Sequence, residues 1–121
     1  MRALSALLAL IFVAIAVYTI ITIANDGFGL FAVFFGDMAD MEWPGQFNFD
    51  FMWFLVLSAL WTAWRNDFST TGFGLAVLAA FGGALFLSAY LLVLIRRGAA
   101  DPVTLLIGEH RVRALNANAA T

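Results

Sequence analysis

An all-α membrane fold with three transmembrane helices is what the sequence predicts, and three observations predict it. Apolar stretches run over residues 3–24, 49–65 and 72–96, with no charge at the centre of any of them. Each approaches the about 20 apolar residues that a helix needs to cross a bilayer core. Hydrophobic residues make up 64% of the chain and charged residues 12%, where soluble domains hold about 45–50% and about 25%. The longest polar stretch, from about residue 96 to 121, is too short to bury a core of its own. The expected organisation is one integral membrane domain over residues 1–121, with 98–121 as an extramembrane tail.

The first helix is expected over 3–24. Arg2 gives it a minimal basic start, but a signal-peptide core is typically about 7–15 residues, so a true membrane helix is the reading. Asn25-Asp26-Gly27 supplies C-terminal cap residues. The aromatic and small residues of 27–36 are too few to span and suit an interfacial element. Asp37–Gln46 is the most acidic part of the chain, and Pro44-Gly45 reads as a turn. Asn48 is the expected N-cap of the second helix, with Asp50 in its first turn near the positive helix end. Trp53, Trp61 and Trp64 lie near the ends of that helix, where tryptophan favours the headgroup level. Arg65 closes it in agreement with the helix dipole. The polar run 66–71 is short enough to make helices two and three an antiparallel hairpin. After Arg96-Arg97-Gly98, Asp101-Pro102 signals a new helix. Residues 103–115 are expected as a short amphipathic surface helix, with a frayed end beyond it.

With three spans the two termini fall on opposite sides. The arginines at 96, 97, 111 and 113 weigh towards a cytoplasmic C-terminus, hence an N-out, C-in arrangement. All six basic residues are Arg, in a chain rich in Ala, Gly and Leu. That bias suggests a GC-rich bacterial genome and an inner-membrane location.

No cysteine is present, which excludes disulfides and thiolate chemistry. A formal net charge of −2 gives no argument for nucleic acid. The apolar stretches carry no ionisable residue at their centres except tyrosine, which argues against a pump, transporter or hydrolase acting alone. No nucleophile–base pairing or phosphate loop is recognisable, so no catalytic residue is assigned. His110, the only histidine, reads as part of a solvated tail, and no metal site is expected.

Three groups remain as candidates. Gly72, Ala76, Ala80, Ala84 and Ser88 recur every four residues, with Ala79 and Gly83 beside them, and make a smooth ridge on the third helix. Small residues let helices approach closely in lipid, so this is either a partner face or an internal packing face. Trp43, Gln46, Asn48 and Asp50 gather polar groups among aromatics at the start of the second helix. They read as a ligand or headgroup contact, or simply as a cap with interfacial anchors. Arg96 and Arg97 read as an anionic-lipid contact. Ser58 and Thr62 form a small polar stripe whose hydroxyls are expected to bond their own backbone. The function expected is an accessory or scaffold subunit of a membrane complex, or a homo-oligomer, associating through the ridge. The alternative is a small transporter or a lipid- or pigment-binding protein using the polar-aromatic site. No cofactor is expected beyond a possible apolar ligand, lipid or pigment, and the partners expected are lipids, other subunits or a second copy.

Overall fold

A computed structural model describes residues 1–120, and all its regular elements are helices. They are α1 (Arg2–Asp26), α2 (Leu30–Asp40), α3 (Trp43–Arg65), α4 (Thr70–Arg96), α5 (Pro102–Ile107) and α6 (Glu109–Ala119). α1 stops at Gly27, whose φ of 71° and N–H bond to the Ile23 carbonyl (2.8 Å) end the helix as its sequence leads one to expect.

The segment between the first two long helices differs from expectation. Residues 30–40 form a helix that runs through the acidic stretch and ends at Met41 in the left-handed conformation. α3 then begins at Trp43, well before residue 49. Pro44 is the reason: in the first helical turn its missing N–H leaves no bond unmade, so Pro44-Gly45 opens a helix and is not a turn. Gly45 is buried, and a Cβ there would collide with the Asp37 backbone. Glycine thus lets α2 lie close against the first half of α3. Asn48 is not an N-cap. It sits beyond the first turn and donates its amide to the Phe34 carbonyl (3.2 Å) and to Asp37 Oδ2 (3.3 Å), tying α3 to α2. Asp50 likewise lies past the first turn.

The connection from α3 to α4 is tight, as expected. Asp67 and Phe68 have φ of 58° and 53°, which costs about 1–2 kcal/mol per non-glycine residue. The Phe68 N–H bonds the Ala63 carbonyl (2.8 Å), and the Ser69 hydroxyl caps α4 by accepting from the Gly72 N–H (3.0 Å).

α4 does not run straight. Gly83 has φ 53° and ψ −138°, outside any helical conformation, and the chain reverses there. A straight helix would hold Gly72 and Tyr90 about 27 Å apart. Both instead touch Asn66: Gly72 against its Cβ, and Tyr90 through a 2.9 Å bond from the Asn66 amide to the phenol oxygen. Residues 70–82 therefore return along α3, and residues 84–96 run back again beside it. At the tip, Gly83 lies against Phe51 and Leu55 of α3, and Phe81 meets Phe31 of α2 edge-to-face, with centroids 6.4 Å apart. The core sits between α3 and the two arms, where Thr62, Ala63, Ala79, Ser88 and Tyr90 are buried. α1 packs on α4 through its N-terminal half, where Leu8 is buried and Leu4, Ser5 and Ile11 are half-buried, and its last ten residues are exposed.

By residue count and composition α1 and α4 are long and apolar enough to cross a membrane, although the reversal at Gly83 divides α4 into two shorter arms, and only 6% and 11% of their apolar stretches are buried within the chain. Helices at the centre of a soluble core would be mostly covered. α3, at 23 residues, has the length of a span, but Asn48, Asp50 and four tryptophans dilute its apolar run, and it does not reach that standard.

Replacing Gly83 by alanine forces a side chain into a glycine-only conformation and sets its Cβ 3.2 Å from the Phe51 ring. The expected loss is about 1–3 kcal/mol. Gly74→Ala has open space and a helical backbone, so it should gain about 0.5–1 kcal/mol. Unfolding of both variants in detergent checks the contrast, and equal effects would mean that the reversal is not set at Gly83.

Candidate functional site

The polar-aromatic group at the start of α3 does not assemble into one site. Trp43 and Gln46 line a shallow cavity of about 480 Å³ with Met41, Glu42 and Pro44. Asn48 is engaged with α2, and Asp50 is exposed and borders neither this cavity nor its neighbour. That neighbour, of about 360 Å³, is more apolar and is walled by Met38, Met41, Glu42, Gly45, Gln46 and Phe49.

The small-residue ridge is divided by the reversal. Gly72, Ala79 and Ser88 are buried, and Gly83 is half-covered at the tip. Ala76 and Ala80 are half-buried and Ala84 is exposed on the other arm. Of the ridge, Gly72 lies against Ala63 and Asn66, and Gly83 against Phe51 and Leu55, so these two positions bring the arms of α4 against α3. Within that packing Thr62 donates to the Ser58 carbonyl (2.8 Å) and Asn66 to the Thr62 carbonyl (2.8 Å). Tyr90, beside Asn66, is flanked by Phe86 (5.5 Å, stacked) and Trp61 (6.1 Å, edge-on). The Ser58 hydroxyl oxygen is buried without a hydrogen-bond partner.

The richest chemistry lies at the end of the bundle where α3 stops and α4 returns. The expected C-terminal helix is broken at Gly108 (φ 90°) into α5 and α6, and both fold over this end. Asp101 caps α5 by accepting from the Thr104 N–H (2.9 Å) and hydroxyl (2.7 Å). These bonds to Thr104 hold its carboxyl below the usual carboxylate range. Arg65 does not cap its own helix. It crosses to the end of α5 and donates to the carbonyls of Leu105 (2.8 Å) and Thr104 (3.3 Å). Trp61 donates to the Leu106 carbonyl (3.1 Å).

Arg111 fixes α6. It donates to the Trp64 carbonyl and to Asp67 Oδ1 (2.7 Å), and its guanidinium lies 3.9 Å above the Trp64 ring. His110 Nε2 meets the other oxygen of Asp67 at 2.8 Å. The strained turn at Asp67 is thereby held from α6. Between these parts is a cavity of about 470 Å³ walled by Arg65, Asn66, Arg97, His110 and Arg113. Arg96 and Arg97 are exposed, and among the described residues neither side chain has a hydrogen-bond or ion-pair partner. His110 reads from the sequence as part of a solvated tail, but it and Arg111 are bound to residues 64–67, far away in the chain, which no local pattern signals. Among the described residues no group of three or more His, Asp or Glu is placed to hold a metal ion.

Arg111→Ala removes the carbonyl, carboxylate and ring contacts together. α6, with 11 residues, is too short to persist alone, so its amides should lose hydrogen-exchange protection. Arg113→Ala breaks only an exposed pair with Glu109, worth about 0.3–0.5 kcal/mol, and should leave protection nearly unchanged. Similar exchange in the two variants would contradict the role given to Arg111.

No protein-family model, curated protein or solved structure matches this chain.

Proposed function

We propose that this chain is a small integral membrane protein that serves as an accessory or scaffold subunit, held against partner helices or a second copy. One observation carries the reading: the apolar stretch of α1 is 6% buried within the chain. Its outer face presents Leu10, Val13, Val17, Ile20 and Ile21, each at least half exposed. In water such a surface would aggregate. In a bilayer it is a lipid face or a helix-packing face. The ridge on α4 is the weaker association surface, because Gly72, Ala79 and Ser88 are already buried within the chain.

The path of the chain favours a particular topology. α1, at 25 residues, is about 37 Å long and crosses. α3, about 34 Å long, is the second crossing. Each arm of α4 is about 20 Å long, two-thirds of a core about 30 Å thick, so α4 enters and returns on one side. Re-entrant backbone needs protein around it, and Phe51 and Leu55 provide that at the Gly83 tip. Arg65 joins Arg97 and Arg113 at one cavity, with Arg96 and Arg111 beside them, while Asp37, Asp40 and Glu42 lie at the opposite end of α3. Only the short link Gly27–Gly29 separates α1 from α2, whose Phe31 touches the tip. α1 therefore heads back along α4 towards the arginine end, taking Arg2 with it. The positive-inside rule then puts both termini in the cytoplasm, in place of the N-out arrangement that three spans imply.

A second reading is the binding of an apolar ligand, a lipid tail or a pigment, supported by the apolar cavity at Met38, Met41, Gly45 and Phe49.

The chain has no cysteine, so single-cysteine variants report proximity cleanly. Cross-linking in source membranes should join Val13→Cys or Val17→Cys to a neighbouring chain more efficiently than Ala84→Cys. Cross-links from Ala84→Cys alone would move the association surface to α4, and none from any position would remove the subunit proposal.

A further inference from the structure

The cavity at the arginine end has an imbalance of charge that its neighbours do not cancel. Its two carboxylates are already engaged: Asp67 with Arg111 and His110, and Glu109 with Arg113 at 3.0 Å. Arg65 is half-buried and held only by carbonyl oxygens, so its orientation is fixed and its charge is uncompensated. Arg97 lines the same cavity and has no partner among the described residues. Two guanidinium groups without counter-ions thus face one space of about 470 Å³.

The level of this cavity bears on what fills it. It lies at the end of α3 marked by Trp61 and Trp64, the residues that favour the headgroup layer. Guanidinium groups bind phosphate oxygens in paired, charge-assisted hydrogen bonds. The apolar arms of α4 lead away from the cavity towards the tip, with Leu94 in its wall. A molecule with an anionic phosphate head and apolar tails matches that order of surfaces, and a soluble phosphate matches only the head.

We propose that the cavity walled by Arg65, Arg97, Arg113 and Asn66 is a binding site for the headgroup phosphate of an anionic phospholipid. This rests on the membrane reading given above. Arg65 orients the phosphate from a fixed position and Arg97 closes on it from the start of the tail. The site uses Arg97 and not Arg96, which lies next to it in sequence but outside the cavity. That difference separates a built site from the general attraction of basic residues for an anionic surface.

The test uses the full chain in mild detergent, titrated with phosphatidylglycerol or phosphatidylcholine and read by native mass spectrometry. Phosphatidylglycerol should bind at least several-fold more tightly. An interfacial arginine is worth about 1 kcal/mol, which is roughly five-fold in affinity, so Arg97→Gln should weaken phosphatidylglycerol by about that factor. Arg96→Gln should leave it close to the parent value. Equal binding of the two lipids, or equal effects of the two substitutions, would overturn the site. Inorganic phosphate that displaces the lipid at comparable concentration would overturn the lipid as its source. An alkaline wash of the membranes keeps the layers of argument apart. A chain that resists the wash but shows no lipid preference defeats this inference alone, whereas a chain released by it defeats the membrane reading beneath.

Discussion

Gly83 adopts a backbone conformation that side-chain-bearing residues rarely take, and the arrangement of the other elements follows from it. Without the reversal, the last turns of α4 would lie at the opposite end of the bundle from Arg65. With it, Tyr90 reaches Asn66, and Leu94 and Arg97 come down beside the end of α3. α5 and α6 can then close over that end. The turn at Asp67 and Phe68, costly in isolation, is braced by Arg111 and His110 because the reversal delivers the tail to it. One glycine thus couples the packing of the apolar arms to the assembly of the polar end.

The same reversal sorts the charges. A bundle with three straight spans would separate Arg65 from the C-terminal arginines. The folded-back α4 gathers five of the six arginines at one end, and Asp37, Asp40 and Glu42 sit at the other. The pairs within the basic end are largely exposed, with side chains of His110 and Asp67 both more than half accessible, so they add little to stability singly. Their effect is to hold α6 in one place. What remains unpaired, at Arg65 and Arg97, is charge available to something outside the chain.

Much of this was legible in the sequence and some was not, for physical reasons. The helical class and the apolar faces follow from composition and the spacing of charges. Asp101-Pro102 marked the start of α5 correctly, because a cap and a proline act locally. Pro44 misled by the same token, since a proline before glycine reads equally as a turn or as the first turn of a helix. Only the packing of Gly45 on the Asp37 backbone decides for the helix. The Gly82-Gly83 pair is a turn signal, but glycine is common in membrane helices, and on the sequence Gly83 reads as part of a packing ridge. The roles of Arg65 and Arg111 depend on contacts with residues far off in the chain, so no local pattern announces them. Trp43, Gln46 and Asp50 share one face of α3 but are spread over two turns, while Asn48 points to the other side and is held by α2.

The most direct measurement of the account is the sidedness of the two termini. Single cysteines placed next to Met1 and near the C-terminal end of α6, probed in intact cells with a membrane-impermeant thiol reagent, give it without disturbing any packed residue. Two crossings with a re-entrant α4 predict that both positions are shielded in intact cells and labelled only after the membrane is opened. Labelling of one terminus in intact cells, with protection of the other, would require an odd number of crossings and would contradict the reversal of α4 within the membrane.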